Sequence, residues 1–297
     1  MIDQPFNRRI EVLIGPLAEW RGGGDATQAI KLVGDGTTDG LRIKFCIHKH
    51  VVSTASPTTI SVYNLGPGLR NALKTKDAKI SIRAGWENTG MVQVFSGSVL
   101  AAVNNRQGPD IVTDIMSLAG YSGTARSVTS KVFSGGTKLG DVVVALAQDL
   151  VGVSVDKKHI DVKDTKYGGQ GWSFAGMVTE GLDKLARVYG FSWWIDQGRF
   201  HAVDDGRALR GGSTPLISGM NGFLLRAEPM LASPFQMKTG ASIYSIFNPF
   251  VEAGRSVKLE SSVNPDLNGV YKVHTLQHDG DTHSSQWQTN IQSWIVV

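Results

Sequence analysis

The chain has 297 residues, 41% of them hydrophobic, which is enough apolar content for packed cores and excludes a disordered chain. Its 30 lysines and arginines exceed its 26 aspartates and glutamates by only four and never run longer than two, so the basic bias does not imply nucleic-acid binding. The single cysteine, Cys46, excludes an internal disulfide.

Residues 9–14 read as a strand ended by Gly15-Pro16. No apolar run follows the Arg8-Arg9 pair, so the expectation is a soluble, cytoplasm-made chain without signal peptide or membrane anchor. Arg21-Gly22-Gly23-Gly24-Asp25 reads as a turn, because it lacks the Gly-Lys-Ser/Thr that would set a lysine and a hydroxyl on a phosphate. Leu41, Ile43, Phe45 and Ile47 alternate with polar neighbours, the period of a half-buried strand. His48 and His50 share one face of it. With no third ligand nearby they read as a solvated edge rather than a metal site.

The stretch 59–99 sets the pattern for the chain: a strand at 59–63, Pro67 opening a short helix, an alternating strand at 79–85, a turn at 86–90 and a return strand. Residues 110–118 form a further strand. Gly120-Tyr121-Ser122-Gly123 fails as a nucleophile elbow, since its second glycine follows the serine directly. Beyond residue 126 the pattern turns helical. Thr137 is the expected N-cap of a helix buried through Leu139, Val142, Val143, Leu146 and Leu150. A second helix is expected over 173–189, with Phe174, Met177, Leu182, Leu185 and Val188 inward and Gly190 as its left-handed stop. A hairpin follows at 191–203, its Trp193 and Trp194 pointing to opposite faces, so one of them should lie near the surface or an interface. After the break at 210–213, further strands lead to a final pair at 270–281 and 286–291. There Trp287, Thr289 and Ile291 share a face, and His278, Asp279 and Asp281 read as a polar turn rather than metal ligands.

Two of these stretches carry a family resemblance. "SVYNL", the proline-led helix, "ISIRAGW" and "VFSGSV" resemble the first barrel of the baseplate hub proteins of contractile-tailed bacteriophages. Asn248-Pro249, a five-residue step to Gly254, "SVKLESS", "GVYKVHTLQHDGD" and "WQTNI" are similar to the second barrel, so the resemblance covers about Leu41 to Ile291. It implies a mainly β fold with an α/β insert (α+β), with two β-barrel-like modules at 1–125 and 207–297 flanking a two-helix-plus-hairpin domain at 126–206.

It further implies a non-enzymatic homotrimeric ring in the virion tail baseplate, joining a hexameric tail tube or tube-adaptor protein to a trimeric central spike. Wedge proteins would surround the ring, and tape-measure protein and DNA would pass transiently through its lumen. No catalytic, cofactor or metal site is expected. Trp86, Phe247 and Phe250 are candidate interface anchors, or else caps of the barrels. Alternative readings are a tail-associated glycan-binding module or a peptidoglycan hydrolase, for which Glu180 offers one carboxylate without an evident second.

Overall fold

A computed structural model describes residues 8–16, 29–37, 40–73, 78–86, 90–163, 171–231 and 238–295. Residues 1–7, the glycine turn at 21–25 and the middle of the turn at 86–90 lie outside the described residues.

The first third holds β1 (Arg8–Pro16), β2 (Ile30–Gly34), β3 (Ile43–His50), β4 (Pro57–Tyr63), α1 (Pro67–Ala72), β5 (Ala78–Trp86), β6 (Gly90–Gln107) and β7 (Asp110–Leu118). The middle holds α2 (Tyr121–Arg126), β8 (Val128–Phe133), α3 (Leu139–Ala147), β9 (Ile160–Asp161), β10 (Trp172–Met177), α4 (Val178–Tyr189), β11 (Phe191–Asp196) and β12 (Arg199–Asp204). The last third holds β13 (Leu216–Ser218), β14 (Leu224–Leu231), β15 (Lys238–Ile246), β16 (Ser256–Glu260), β17 (Gly269–Asp281) and β18 (Trp287–Ile295).

Alternation makes the strands. Ile43, Phe45 and Ile47 of β3 and Ile80, Ile82 and Ala84 of β5 are all buried, each side chain contributing roughly 1.5–3 kcal/mol on leaving water where it is Val-sized or larger. Pro67 starts α1 because a helix's first residue needs no N–H and proline's φ already fits.

The strands of both expected β-barrel-like modules join in one hydrogen-bonded sheet. Thirteen strands run β14-β15-β18-β17-β3-β4-β7-β6-β5-β1-β2, with β16 branching from β17 and β13 from β16, and no closed barrel forms among the described residues. Two long strands let the sheet turn. β6 pairs β5 with its first half and β7 with its second, through bulges at Ile82/Arg83 and Val99/Ala101. β17 pairs β16 with its start, β3 with its end and β18 along most of its length. The sheet carries two cores, one mainly from the first third and one mainly from the last, while α3, α4 and the β11–β12–β9 sheet enclose a third.

Several expectations need correction. Trp172–Met177 is not the start of a helix but β10, paired with β8. Phe174 of this strand lies over Gly181 of α4, where a Cβ would meet its ring at 2.8 Å, so the apolar spacing that mimics a helix is a strand packed across one. Val188, expected inward, is exposed. The cap of α3 is Lys138 rather than Thr137, whose hydroxyl instead donates to the Ser134 carbonyl at 2.7 Å. His48 and His50 lie beyond the β3–β4 register, which ends at Ile47, and pair only with β17, both half-buried. His278, Asp279 and Asp281 form the buried end of β17 rather than a turn. Trp193 and Trp194 do face opposite ways, yet both are buried: Trp193 enters the middle core and Trp194 the core of the last third.

Candidate assembly surface

The two halves of the chain meet at the β3–β17 seam, seven registered pairs running from Thr275↔His50 to Asp281↔Lys44. Aromatic rings from both halves lie beneath it. Phe247 stands 5.9 Å from Phe45 and 4.7 Å from Trp287, and Trp287 lies 5.6 Å from Trp86. Local chemistry decides which loop aromatic turns inward. Phe247 N–H donates to the Trp287 carbonyl and Asn248 N–H to the Thr289 hydroxyl, while the Asn248 side chain accepts from Phe250 N–H and turns the chain outward. Phe247 is therefore fully buried, and Phe250 is 55% exposed. Trp86, 7% exposed, joins the same core. Of the three candidates, Trp86 and Phe247 are buried in the core between the halves, and Phe250 is exposed.

Polar groups lock the seam. His278 packs 5.3 Å from the Phe247 ring, and burial, helped by the charge on Lys49, drives its pKa down to about 3. The imidazole is thus neutral, with Nδ1 bonded to the Thr289 hydroxyl at 2.8 Å. Burial alone would raise the pKa of Asp281. The Arg42 guanidinium at 2.8 Å and the backbone N–H of His283 outweigh it and hold the carboxyl below its ordinary value.

The middle unit docks on the seam's other flank. Lys49 Nζ reaches Asp196 at 2.8 Å, with both side chains largely buried. Lys272 Nζ donates to the carbonyls of Asp204 and Asp205 at 3.3 and 3.2 Å. Trp194 stacks on His201, centroids 5.2 Å apart, and fits against Gly254, whose φ of +81° suits glycine and where a Cβ would lie 2.3 Å from the indole. Burial lowers the His201 pKa to about 4.

The surface left for partners is of two kinds. At the ends of the sheet, β14 and β2 are each paired on one side only among the described residues, and unpaired strand edges template further pairing. Apolar side chains also stand in water: Val103 and Met116 on the outward face of β6 and β7, Leu225 at the β14 bulge, and Phe250. Glu180 is exposed in the first turn of α4. Among the described residues no group of three or more His, Cys, Asp or Glu converges as metal ligands would, and no helix is long and apolar enough to cross a membrane. Sequence reasoning missed Lys49, Asp196 and Lys272, which carry no motif and acquire their roles only through the packing of distant segments.

Comparison with known proteins places this geometry. Residues 28–292 match the family described as Baseplate hub gp41. No curated protein sequence matches the chain. Among solved structures the fold is similar to a tail protein from Neisseria meningitidis, at TM-score 0.63 and 9% identity, covering 96% of each chain. It is also similar to the 43 kDa tail protein of prophage MuSo2 from Shewanella oneidensis, at TM-score 0.60 and 9% identity, again over 96% of each chain. A third likeness is to a component of the Escherichia coli type VI secretion system, itself described as structurally similar to T4 bacteriophage tail proteins gp27 and gp5. Its TM-score is 0.57 at 8% identity, over 87% of this chain and 75% of that one.

Proposed function

The chain belongs to the baseplate hub gp41 family, a structural part of the phage tail baseplate, and we propose that three copies close into a ring joining a hexameric tail tube to a trimeric central spike. The observation that carries this reading is the single sheet running through both halves, whose main path ends at β14 on one side and β2 on the other, with the branch strand β13 also paired on one side only among the described residues. Two different edges on one chain suit a heterologous, head-to-tail contact, and such a contact closes as a ring when its rotation divides a full turn. A closed ring also removes the edges that would otherwise aggregate.

In this reading the chain divides into a first β-barrel-like hub module at 1–125, an α/β middle domain at 126–206 and a second β-barrel-like module at 207–297, a division supported by its three cores. Two sheet modules per chain give six around a trimer, the number needed to meet a sixfold tube. Phe250 is the proposed aromatic anchor toward a neighbour. The tube or its adaptor, the spike and the wedge proteins are the proposed partners, with tape-measure protein and DNA crossing the lumen. The role is mechanical rather than catalytic: the ring holds the spike until contraction drives it forward.

The test is the mass of the purified protein by light scattering, alone and with the tail tube and central spike proteins of the same phage. Three times the 32.0 kDa chain mass and co-migration with both partners are expected. A monomer that binds neither partner at any concentration overturns the reading.

A further inference from the structure

We propose that a slot between the first third of the sheet and the middle unit binds an acidic segment of a partner polypeptide, with Lys79 as the anchor for its carboxylate. The inference stands on the slot alone and does not depend on ring assembly. The slot is about 300 Å³, within the range of ligand pockets. Its floor is the outward face of β5 and β6, where Lys79 lies opposite Ser98 in the register and Ser96 lies opposite Ser81. Its roof is the start of α2, the 151–153 loop and the β11–β12 turn at Gly198.

Charge is the first argument. Lys79 is half-buried, and no carboxylate among the described residues lies within ion-pair distance of it. Its neighbours on the same sheet face are provided for: Arg9, Lys31 and Arg83 gather on Glu11 at 3.1, 3.3 and 3.7 Å. Burial accordingly pulls the Lys79 pKa below its ordinary value. An ammonium partly removed from water without a counter-charge is unfavourable, and an incoming carboxylate relieves it. The cleft at 207–214 supplies the contrast. It is comparable in size, about 370 Å³, and lined by three arginines, but Arg207, Arg210 and Arg255 are already paired with Asp204, Asp161 and Glu252.

The rest of the lining selects a peptide over a bare anion. Ser98 from the floor and Ser122 from the roof share a hydrogen bond between their hydroxyls at 3.4 Å, which leaves one neutral donor beside the cation. Gly152 and Gly198, with φ of +70° and +72°, have open space where a side chain would begin, which leaves room for a main chain although the Gly198 carbonyl already accepts from Ser154. Tyr121 and Val153 offer apolar contact to the methylenes of an acidic side chain. An inorganic anion would use only the lysine and the hydroxyls.

The test uses the full chain and three probes, followed by saturation-transfer NMR: a capped Ala-Glu-Ala-Gly peptide, its Ala-Gln-Ala-Gly counterpart and sodium phosphate. Saturable binding of the glutamate peptide is expected, at least tenfold tighter (about 1.4 kcal/mol) than the glutamine peptide. The same loss is expected in Lys79→Met, which keeps the apolar stem, and no loss in Lys31→Met, which lies outside the slot. Ser98→Ala, with the lysine intact, should bind several-fold more weakly and supplies the readout if Lys79→Met fails to fold. Equal binding of the two peptides, undiminished binding by Lys79→Met, binding of phosphate alone, or no saturable binding at millimolar concentrations overturns the proposal.

Discussion

Replacing Phe247 by alanine should unfold more than the loop it sits in. The ring is fully buried against Phe45 and Trp287, and the segment carrying it belongs to the last third of the chain while the core it fills belongs to the first. Removing a buried phenylalanine costs about 3–5 kcal/mol, the transfer of the ring plus the cavity left behind. Against a total stability on the order of 5–15 kcal/mol, that is a large share. Phe250→Ala, three residues on, removes a ring already 55% in water and should cost within about 0.5 kcal/mol. Urea denaturation followed by tryptophan fluorescence measures both, since Trp86 and Trp287 flank the site. The midpoint should fall sharply for Phe247→Ala and hardly at all for Phe250→Ala, whereas only Phe250→Ala should weaken self-association by light scattering. Equal stability losses in the two variants would refute the division of one aromatic inward and one outward.

Gly254→Ala should cost about 3 kcal/mol or more, combining a strained φ of +81° with a Cβ 2.3 Å from Trp194, whereas Gly198→Ala, at φ +72° with open space around it, should cost only about 1–2 kcal/mol; thermal unfolding compares them. Lys49→Met strands the largely buried Asp196 and should cost about 3–5 kcal/mol, most of it recovered by adding Asp196→Leu; a double-mutant cycle in which the second change recovers nothing would show that the pair does not hold the middle unit. His201 and His278 are buried neutral, with pKa values of about 4 and about 3 against an ordinary 6.5, so the unfolded chain binds the extra protons. Stability is therefore complete above pH 6.5 and falls as pH drops through the window from 6.5 toward 4 and 3. His278→Gln should flatten part of that decline in urea midpoints measured between pH 7 and 4.5. An unchanged slope would mean that His278 is not among the groups responsible.

Local periodicity determined much of this molecule by itself. Ile43, Phe45 and Ile47, or Ile80, Ile82 and Ala84, can hide their side chains only as strands with that face inward, so the strands and their core faces were legible from spacing alone. Pro67 and Gly190 marked helix ends because their backbone conformations leave little choice. Spacing failed where two geometries satisfy the same apolar pattern. Trp172 to Met177 carries a run compatible with a helix, and only the pairing with β8 and the close fit of Phe174 over Gly181 made it a strand. The polar run His278 to Asp281 looked like a turn because charge usually seeks water; partners 239 and 11 residues away, Arg42 and Thr289, let it be buried instead.

The joining of the halves belongs wholly to the tertiary structure. Nothing local to β3 or β17 names the other as its partner, and nothing local sends Phe247 into a core built some 200 residues earlier in the chain, as a comparison with Phe45 shows. Long-range pairing is decided by which faces remain to be covered once each segment has formed, and that sum is taken over the whole chain. The sequence alone could therefore tell which side chains go inward, while only the assembled sheet could tell against what they pack and which edges and apolar groups are left for a neighbour.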